Sequence, residues 1–277
     1  MEKTIYKPTL NATCVAICVL SLNTLPALAF PDIYEPDNMY EEANVVVTDN
    51  ESPERHELSV VKRRALRIIM GELKGTVIDA ISGNPIKDAV VFTTCHTSDT
   101  AFSETNGDYN TILSCKDGKV FELTAKANGY KPLTCSLTSI EILTLIRNIP
   151  LLPNGKNLPA PTPSQSVYSN GDKLQVTLPN LYEGCVDYYV AIAYPPEVGS
   201  SLFIVTKTAR NLNDLTAFTG YPLQWNGSGN VAIDMPIENM PHGIYTLYLL
   251  RTPEGVADPL ADKYLENLSF SFFEVKD

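Results

Sequence analysis

From residue 71 to the end of the chain, apolar residues either alternate with polar ones or form short runs. Phe121, Leu123 and Ala125 alternate with mostly polar neighbours, and in a β-strand all three side chains would lie on one buried face. The uninterrupted apolar runs are short and rich in β-branched and aromatic residues, a composition typical of strands. This pattern predicts an all-β protein without long helices.

Turn-forming residues separate the predicted strands. Ser82-Gly83 and Asn106-Gly107 are the clearest examples, because glycine and asparagine accept the positive φ that tight turns require. In the first half of the chain the pattern predicts strands at residues 75–79, 89–94, 121–125, 133–137 and 145–151. In the second half it predicts strands at residues 174–178, 186–194, 202–205, 231–234, 244–250 and 270–275.

A proline-rich segment divides these strands into two groups. Residues 151–165 contain four prolines, which is typical of an extended, semi-rigid linker. A chain of 277 residues is long enough for about two domains. We therefore predict a domain at 71–153, a linker at 154–165 and a second domain at 166–277, with each domain folding independently. The regular spacing of short strands in the second domain predicts an immunoglobulin-like β-sandwich.

The first 29 residues have the features of an export signal peptide. Lys3 and Lys7 precede an apolar run at roughly residues 10–22, and the Ala-Leu-Ala sequence at 27–29 fits the small-residue cleavage rule. The apolar run is shorter than the ~20 residues that a membrane span requires. We expect cleavage after Ala29 and a secreted or periplasmic protein with no transmembrane segment after cleavage. An uncleaved membrane anchor is the alternative.

Residues 30–70 are predicted to form an acidic, largely disordered arm. Between residues 30 and 57, nine acidic residues are opposed by one arginine, and prolines discourage regular structure. Three consecutive valines at 45–47 could dock as a strand. A short basic block at 62–67 follows, which could attract the acidic arm or simply face solvent.

Charge and motifs argue against several functions. The chain has 21 basic and 32 acidic residues, and its net charge of −11 would repel the backbone of a nucleic acid. Three histidines leave little room for a histidine-rich metal site. Neither a phosphate-binding loop, nor a G-x-G-x-x-G motif, nor a G-x-S-x-G motif is present. We expect no nucleic-acid partner, no metal, no cofactor and no catalytic residue.

The first predicted domain carries several motifs in a characteristic order. G-x-V-x-D-x-x-S-G-x-P-I-x-x-A-V-V occupies residues 75–91, T-N-G-D-Y occupies 105–109, and F-x-L-x-A-x-x-x-G-Y occupies 121–130. This region resembles the carboxypeptidase regulatory-like domain, a seven-stranded transthyretin-like (prealbumin-like, starch-binding-like) β-sandwich. The resemblance covers roughly residues 71–153. It implies an accessory module of an exported bacterial protein, with no reaction of its own.

We expect that no catalytic domain accompanies this module. A zinc carboxypeptidase requires a His-x-x-Glu pair of ligands, and none of His56, His96 and His242 begins one. We therefore expect that the protein is not an enzyme. In the second domain, residues 240–248 are similar to the late hairpin of tail domains in bacterial secreted proteins, a resemblance that implies no chemistry.

Four cysteines, Cys95, Cys115, Cys135 and Cys185, remain after the predicted cleavage, and four cysteines permit three pairings. The resemblance places Cys95 at the end of the second strand and Cys115 just before the fifth, and these strands are antiparallel neighbours in the transthyretin-like order. It therefore implies a Cys95–Cys115 disulfide. Cys135 and Cys185 lie in different predicted domains and are not expected to pair. The alternative is that all four are free, buried thiols.

Three functions from different classes fit these observations. The first is a non-catalytic exported accessory or interaction protein that binds an envelope or extracellular protein or glycan. The second is a carbohydrate-binding protein with exposed aromatic rings, for which the candidates are Tyr182, Tyr188, Tyr221 and Trp225. The third is an unrecognised hydrolase.

Simple structural observations distinguish these three functions. A solvent-facing, coplanar pair of Tyr221 and Trp225 would favour sugar binding, whereas a buried Trp225 would favour a plain interaction module. A deep pocket in which His96 or acidic groups converge would favour the hydrolase.

Overall fold

The computed structural model describes residues 68–95, 100–116, 120–138, 144–199 and 201–276. All of these residues belong to one compact unit, Lys62–Asp277. The predicted export signal with its cleavage site after Ala29, the acidic arm up to residue 67, the basic block and His96 lie outside the described residues.

The first eight described strands form two sheets, which we call the first sandwich. They are β1 (Ile68–Asp79), β2 (Val90–Thr93), β3 (Thr100–Phe102), β4 (Asp108–Lys116), β5 (Val120–Lys126), β6 (Leu133–Thr138), β7 (Thr144–Ile146) and β8 (Ile149–Leu151). One sheet has the order β4-β1-β7, with β8 also paired to β1, and the other has the order β3-β2-β5-β6. Because β7 and β8 pair with β1 one after the other, they act as one interrupted strand, and the sandwich has seven strand positions.

Apolar side chains on one face of each strand form the core of the first sandwich. Phe121, Leu123 and Ala125 of β5 are all buried, as their alternation predicts, and they belong to the same core as Leu73 of β1. The pattern missed β3, which has only three residues, and β4, in which the exposed Ile112 interrupts the alternation.

The remaining described strands form a second pair of sheets, the second sandwich. They are β9 (Thr162–Pro163), β10 (Val167–Ser169), β11 (Lys173–Thr177), β12 (Val186–Ala193), β13 (Leu202–Val205), β14 (Thr216–Ala217), β15 (Val231–Pro236), β16 (Gly243–Pro253) and β17 (Leu268–Lys276). A six-stranded sheet has the order β10-β17-β16-β12-β13-β14, and a three-stranded sheet has the order β15-β11-β9. Leu174 and Ile233 of the smaller sheet share one buried core with Ile192 and Leu247 of the larger sheet.

The predicted all-β architecture is therefore confirmed. Among the described residues, regular helix is limited to short turns such as Asp262–Leu265. Within the part of the chain that the structure describes, no helix has both the length and the apolar character needed to cross a membrane.

The proline-rich segment, which was predicted to be an extended, semi-rigid linker, packs along the second sandwich. Leu158 is buried, and its carbonyl accepts a hydrogen bond from the Ser269 hydroxyl at 2.5 Å. The Pro161 carbonyl accepts a second bond, from the Ser271 hydroxyl, and the next two residues form β9. Because prolines keep the chain extended and serines of β17 satisfy its carbonyls, the segment packs along the second sandwich.

The expectation that Cys135 and Cys185 do not pair is wrong. Their Cα atoms lie 5.4 Å apart and the two residues form a disulfide. The bond joins β6 of the first sandwich to the residue before β12 of the second, because the two sandwiches pack directly against each other. The Lys131 ammonium also donates to the Asn267 side chain at 3.1 Å across this interface.

Cys95 and Cys115 form a second disulfide, with Cα atoms 5.1 Å apart. β2 and β5 are antiparallel neighbours, with Thr93 opposite Leu123, as the resemblance implies. However, Cys115 lies in β4, which belongs to the opposite sheet. The bond therefore ties the two sheets of the first sandwich together instead of linking neighbouring strands.

Candidate functional site

A groove of about 970 Å³ lies beside the start of β12, and we call it the β12 groove. Three stretches of chain line it: the segment that leads into β12, the loop that precedes β15, and the residue after β16. The lining residues are 180–184, 186–188, 224–230 and Glu254. This volume is typical of sites for small molecules.

The segment that leads into β12 is held against the first sandwich. Gly184 has φ +144°, and a Cβ at this position would overlap the carbonyl oxygen of Asn148. The same carbonyl accepts the N–H of Cys185 at 3.1 Å, and Cys185 is held by its disulfide. The Tyr182 hydroxyl lies where a side chain of Gly83 would be. One wall of the groove is therefore positioned by the first sandwich.

Trp225 also lines the groove and is half-buried. The backbone N–H of Trp225 donates to the carbonyl of Tyr188 at 2.7 Å, and the backbone N–H of Asn226 donates to the carbonyl of Thr206 at 2.7 Å. Gly227 lies directly against the six-membered ring of the indole, where a Cβ would collide with it. The backbone of the loop therefore fixes the position of the indole in the groove.

The structure brings three of the four candidate aromatic residues together. Tyr182 and Trp225 line the groove, and Tyr188 lies at its base with 8% of its surface exposed. The Tyr188 hydroxyl donates to the carbonyl of Tyr182 at 2.9 Å. Tyr221 is 51% exposed but does not line the groove. It lies near Tyr189, whose side chain points to the other face of β12.

The proposed pair of Tyr221 and Trp225 is therefore not formed. Trp225 is neither fully exposed, as expected for sugar binding by a coplanar pair, nor fully buried, as expected for a plain interaction module. Tyr182 takes the place of Tyr221 as the aromatic residue that shares a groove with Trp225.

Polar side chains complete the groove. The amides come from Asn180, Gln224, Asn226 and Asn230. Glu183, Asp187 and Glu254 are the acidic lining residues. Asp187 lies two positions before Tyr189 in β12, so its side chain shares the face of Tyr189. Amides offer both donors and acceptors, and ionised carboxylates offer acceptors only. The groove can therefore bind a ligand that is rich in hydroxyl or other N–H and O–H groups.

Glu254 lies where the groove meets the first sandwich. Its carboxylate is 3.7 Å from the Arg147 guanidinium, an ion pair that is too long for a hydrogen bond. Burial raises the pKa of the Glu254 carboxyl above its ordinary value; Arg147 opposes this shift and the Asp187 carboxylate adds to it. Asp187 itself accepts the N–H of Gly255 at 3.0 Å.

A buried arginine supports the base of the groove. Arg251 lies opposite Tyr188 in the pairing of β16 with β12, and its guanidinium lies near the Tyr188 hydroxyl. Its guanidinium also donates to the Pro150 carbonyl in β8. Burial lowers the pKa of Arg251, and Tyr188 opposes this shift. The base of the groove is thus connected to the first sandwich through Arg251.

Sequence reasoning missed the polar half of the site. Glu183 and Asp187 lie four residues apart at the start of β12, whereas Glu254 follows β16, and only the packing of the chain brings these two stretches together. A partial signal was present at residues 226–230, where the polar and glycine-rich sequence Asn-Gly-Ser-Gly-Asn follows the single tryptophan. Such a loop after an aromatic residue is a reasonable candidate for a binding site.

Comparisons with known proteins identify no family. No family model matches the chain, and no curated protein matches it. Among solved structures it is similar to a Bacteroides uniformis protein described provisionally as carbohydrate-binding (10% identity, TM-score 0.26, 75% of this chain and 99% of that one). It is also similar to the TIE protein of Bacillus anthracis (11% identity, TM-score 0.26, 76% of this chain and 32% of that one). A third similar structure is the major pilin subunit of Bacillus cereus (9% identity, TM-score 0.25, 75% of this chain and 68% of that one). At these TM-scores none of the three supports a function for this chain.

Proposed function

We propose that this protein is a non-catalytic binding protein that acts outside the cytoplasm and holds a glycan in the β12 groove. The observation that carries the proposal is the position of Tyr182 and Trp225 in one groove with amides and carboxylates. Sugars present apolar C–H faces that pack on aromatic rings, and hydroxyl groups that bond to amides and carboxylates. A groove with both kinds of group suits such a ligand.

The first sandwich acts as an accessory module in this proposal. Its resemblance to the carboxypeptidase regulatory-like domain supports a role without chemistry. The contacts of Asn148 with Gly184 and Cys185 support a mechanical role, since they position one wall of the groove. The module thus keeps the groove preformed before the ligand arrives.

Two disulfides support a location outside the cytoplasm. Such bonds persist in oxidising compartments and are rare where thiols are kept reduced. The predicted export signal leads to the same location, either the periplasm or the extracellular space.

The composition of the groove supports binding over catalysis. Among the described residues that line the groove, Ser228 is the only serine, and none is a histidine that could act as its base. A hydrolase is the second candidate, because glycoside hydrolases use two carboxyl groups, and Glu183 and Glu254 both line the groove. Glu254, with its raised pKa, would be the proton donor in that case.

Glycan binding by the full-length, oxidised protein tests the proposal. We expect binding on a glycan array, and a loss of affinity of about tenfold in Trp225→Ala, because one aromatic packing surface is removed. Tyr221→Ala, an exposed aromatic residue outside the groove, is the matched control and should bind as the wild type does.

Three outcomes would contradict the proposal. Binding to no glycan would exclude a glycan ligand. Equal affinity of Trp225→Ala and the wild type would exclude the β12 groove as the site. Release of shorter sugars by the wild type, abolished in Glu254→Gln, would establish the hydrolase instead.

A further inference from the structure

We propose that two copies of this protein pair through β4, one strand antiparallel to the other, across a two-fold axis at Ile112. The proposal goes beyond glycan binding and does not depend on it. Three features of β4 carry it: its long free edge, the direction of its outward backbone groups, and an exposed isoleucine at its centre.

β4 is the longest edge strand in the described part of the chain. It pairs with β1 over nine residues without a break in register, and no other described strand pairs with it. Each other edge strand of the described sheets has six residues or fewer. Residues 109–115 contain no proline and no charge, the two kinds of residue that usually keep an edge from pairing. The edge of β4 is therefore open to a further strand.

Two hydrogen bonds at the start of β4 show which backbone groups face this edge. The carbonyl of Gly107 accepts the N–H of Val77 in β1, whereas the carbonyl of Asp108 accepts the N–H of Glu104, which lies in the preceding turn, both at 2.8 Å. Residues along a strand alternate in the side to which they direct their N–H and C=O groups, so residues 109, 111, 113 and 115 bond to β1. The groups of residues 110, 112, 114 and 116 therefore point to the free edge.

These outward groups are complementary to those of a second copy. In an antiparallel pair, two opposite residues exchange both of their N–H···O=C bonds, so a two-fold axis can place Ile112 opposite its own copy. Residue 110 then lies opposite residue 114 of the second copy, and both direct their groups outward. The same register places residue 108 opposite residue 116, so each end of the paired segment combines one acidic and one basic residue.

Ile112 supplies the apolar contact of this pairing. Its side chain is 65% exposed on the solvent face of the sheet, where a polar residue is expected. Across the two-fold axis the Cβ atoms of the two Ile112 side chains would lie about 5 Å apart, a separation at which β-branched residues stabilise neighbouring strands. The pairing thus buries an isoleucine that a single copy leaves in water.

The position of β4 in its sheet leaves room for the second copy. β4 lies on one side of β1, and β7 and β8 lie on the other. The second sandwich contacts that other side, where the Cys185 N–H donates to the carbonyl of Asn148 between β7 and β8. β4 is therefore at the edge of the sheet that lies opposite this contact.

The oligomeric state of the full-length, oxidised protein tests the proposal. We expect analytical ultracentrifugation to show a monomer–dimer equilibrium with a Kd in roughly the micromolar range, because one strand pair makes a small interface. Ile112→Asp places two like charges opposite each other and should raise the Kd at least about tenfold. Ile146→Asp is the matched control: Ile146 is 60% exposed in β7, at the opposite edge of the sheet, and this variant should dimerise as the wild type does.

Single cysteines test the register. The Cα atoms of a hydrogen-bonded antiparallel pair lie about 5.5 Å apart, within the reach of a disulfide, so Ile112→Cys should form a covalent dimer under mild oxidation. In the same register, residue 110 lies about 14 Å from its own copy, so Asn110→Cys should remain monomeric. Denaturing electrophoresis without reductant measures both.

Each other result would overturn the proposal. A protein that stays monomeric at about 1 mM would refute pairing between copies. An unchanged Kd in Ile112→Asp, or an equal loss in Ile146→Asp, would assign the dimer to another surface. A covalent dimer of Asn110→Cys without one of Ile112→Cys would refute the register and the two-fold axis at Ile112. None of these results bears on glycan binding in the β12 groove, which is measured separately.

Discussion

Asp79 shows how a single side chain ends a strand and holds the turn that follows. Its carboxylate accepts the N–H groups of Ile81 and Ser82, both at 2.8 Å, and the Tyr130 hydroxyl at 3.1 Å. Burial alone would raise the pKa of Asp79, but these three bonds outweigh it and hold the pKa below its ordinary value. The fold therefore favours the ionised carboxylate.

We expect Asp79→Ala to lower the free energy of unfolding at pH 7 by about 1–3 kcal/mol, because three donors lose their acceptor. A carboxylate with a lowered pKa stabilises the fold above its unfolded pKa, and this contribution is lost as the pH falls through the folded pKa. The difference from the wild type should therefore shrink at about pH 3 in urea unfolding. Tyr130→Phe removes one donor and should cost less. An equal difference at both pH values would contradict a role for the charge.

The contribution of Glu254 to stability should change with pH in the opposite direction to that of Asp79. Because its pKa is raised, the folded protein binds this proton more tightly than the unfolded chain does. The resulting stability is present at low pH and is lost as the pH rises through the raised pKa. Glu254→Gln cannot titrate, so the melting temperature of the wild type should fall relative to that of the variant between about pH 4 and pH 7. A relative rise would show that the ion pair with Arg147 dominates.

Residue type alone predicts part of the candidate site. Trp225 and Tyr182 could be chosen because aromatic rings are scarce and suit sugars. The same reasoning selected Tyr221, but Tyr221 lies toward the opposite face of β12. Its position depends on the path of its loop. The carboxylates could not be chosen, since acidic residues are common in this chain and their convergence at the groove depends on tertiary packing.

At the scale of strands, the pattern of apolar residues predicts the bounds of a strand correctly where burial along the strand is regular. β12 was expected at 186–194 and is observed at Val186–Ala193, because the centre of the six-stranded sheet buries both faces of its middle residues. The pattern failed at 145–151, which was expected as one strand. There Arg147 and Asn148 interrupt the strand, and their carbonyls accept the Tyr109 hydroxyl and the Cys185 N–H. Those partners are distant in sequence, so no local pattern indicates them.

A substitution at Gly184 tests the contact between the segment before β12 and Asn148, which lies between β7 and β8. We expect Gly184→Ala to destabilise the protein by roughly 2–4 kcal/mol, because a Cβ would collide with the Asn148 carbonyl in addition to the strain of a positive φ. Gly199→Ala is the matched control: Gly199 also has a positive φ, but its Cβ would meet open space, so its cost should be about 1 kcal/mol. Denaturant unfolding measures both. Equal costs would mean that strain alone accounts for the loss.

At the scale of the whole molecule, the two sandwiches behave as one body. Sequence reasoning divided the chain at its prolines, but Cys135–Cys185 and the bond from Arg251 to Pro150 cross the expected boundary. Contacts between residues that are distant in sequence leave no periodic pattern in it. The sequence therefore predicts the two groups of strands but not the packing of one group against the other. One cooperative unfolding transition is therefore expected for the described part of the chain.

Removal of the connecting disulfide tests this expectation. We expect the Cys135→Ser and Cys185→Ser double variant to lose about 4 kcal/mol, since the bond closes a loop of about 50 residues. It should unfold in two steps and be cut by protease between residues 153 and 166, where we expect the native protein to resist cleavage. The Cys95→Ser and Cys115→Ser double variant is the control and should keep that resistance, because its bond lies within the first sandwich. Rapid cleavage of the native protein at 153–166 would show that the sandwiches are independent.

The prolines before and within β9 have a consequence for contacts between copies of the protein. β9 is an edge strand of the three-stranded sheet, and such an edge can recruit a strand from another chain. Here the edge is two residues long, follows Pro161 and contains Pro163, and proline has no N–H to donate. Strand addition is therefore blocked on this side of the second sandwich. The same prolines that suggested a semi-rigid linker therefore protect this edge from pairing with another copy of the protein.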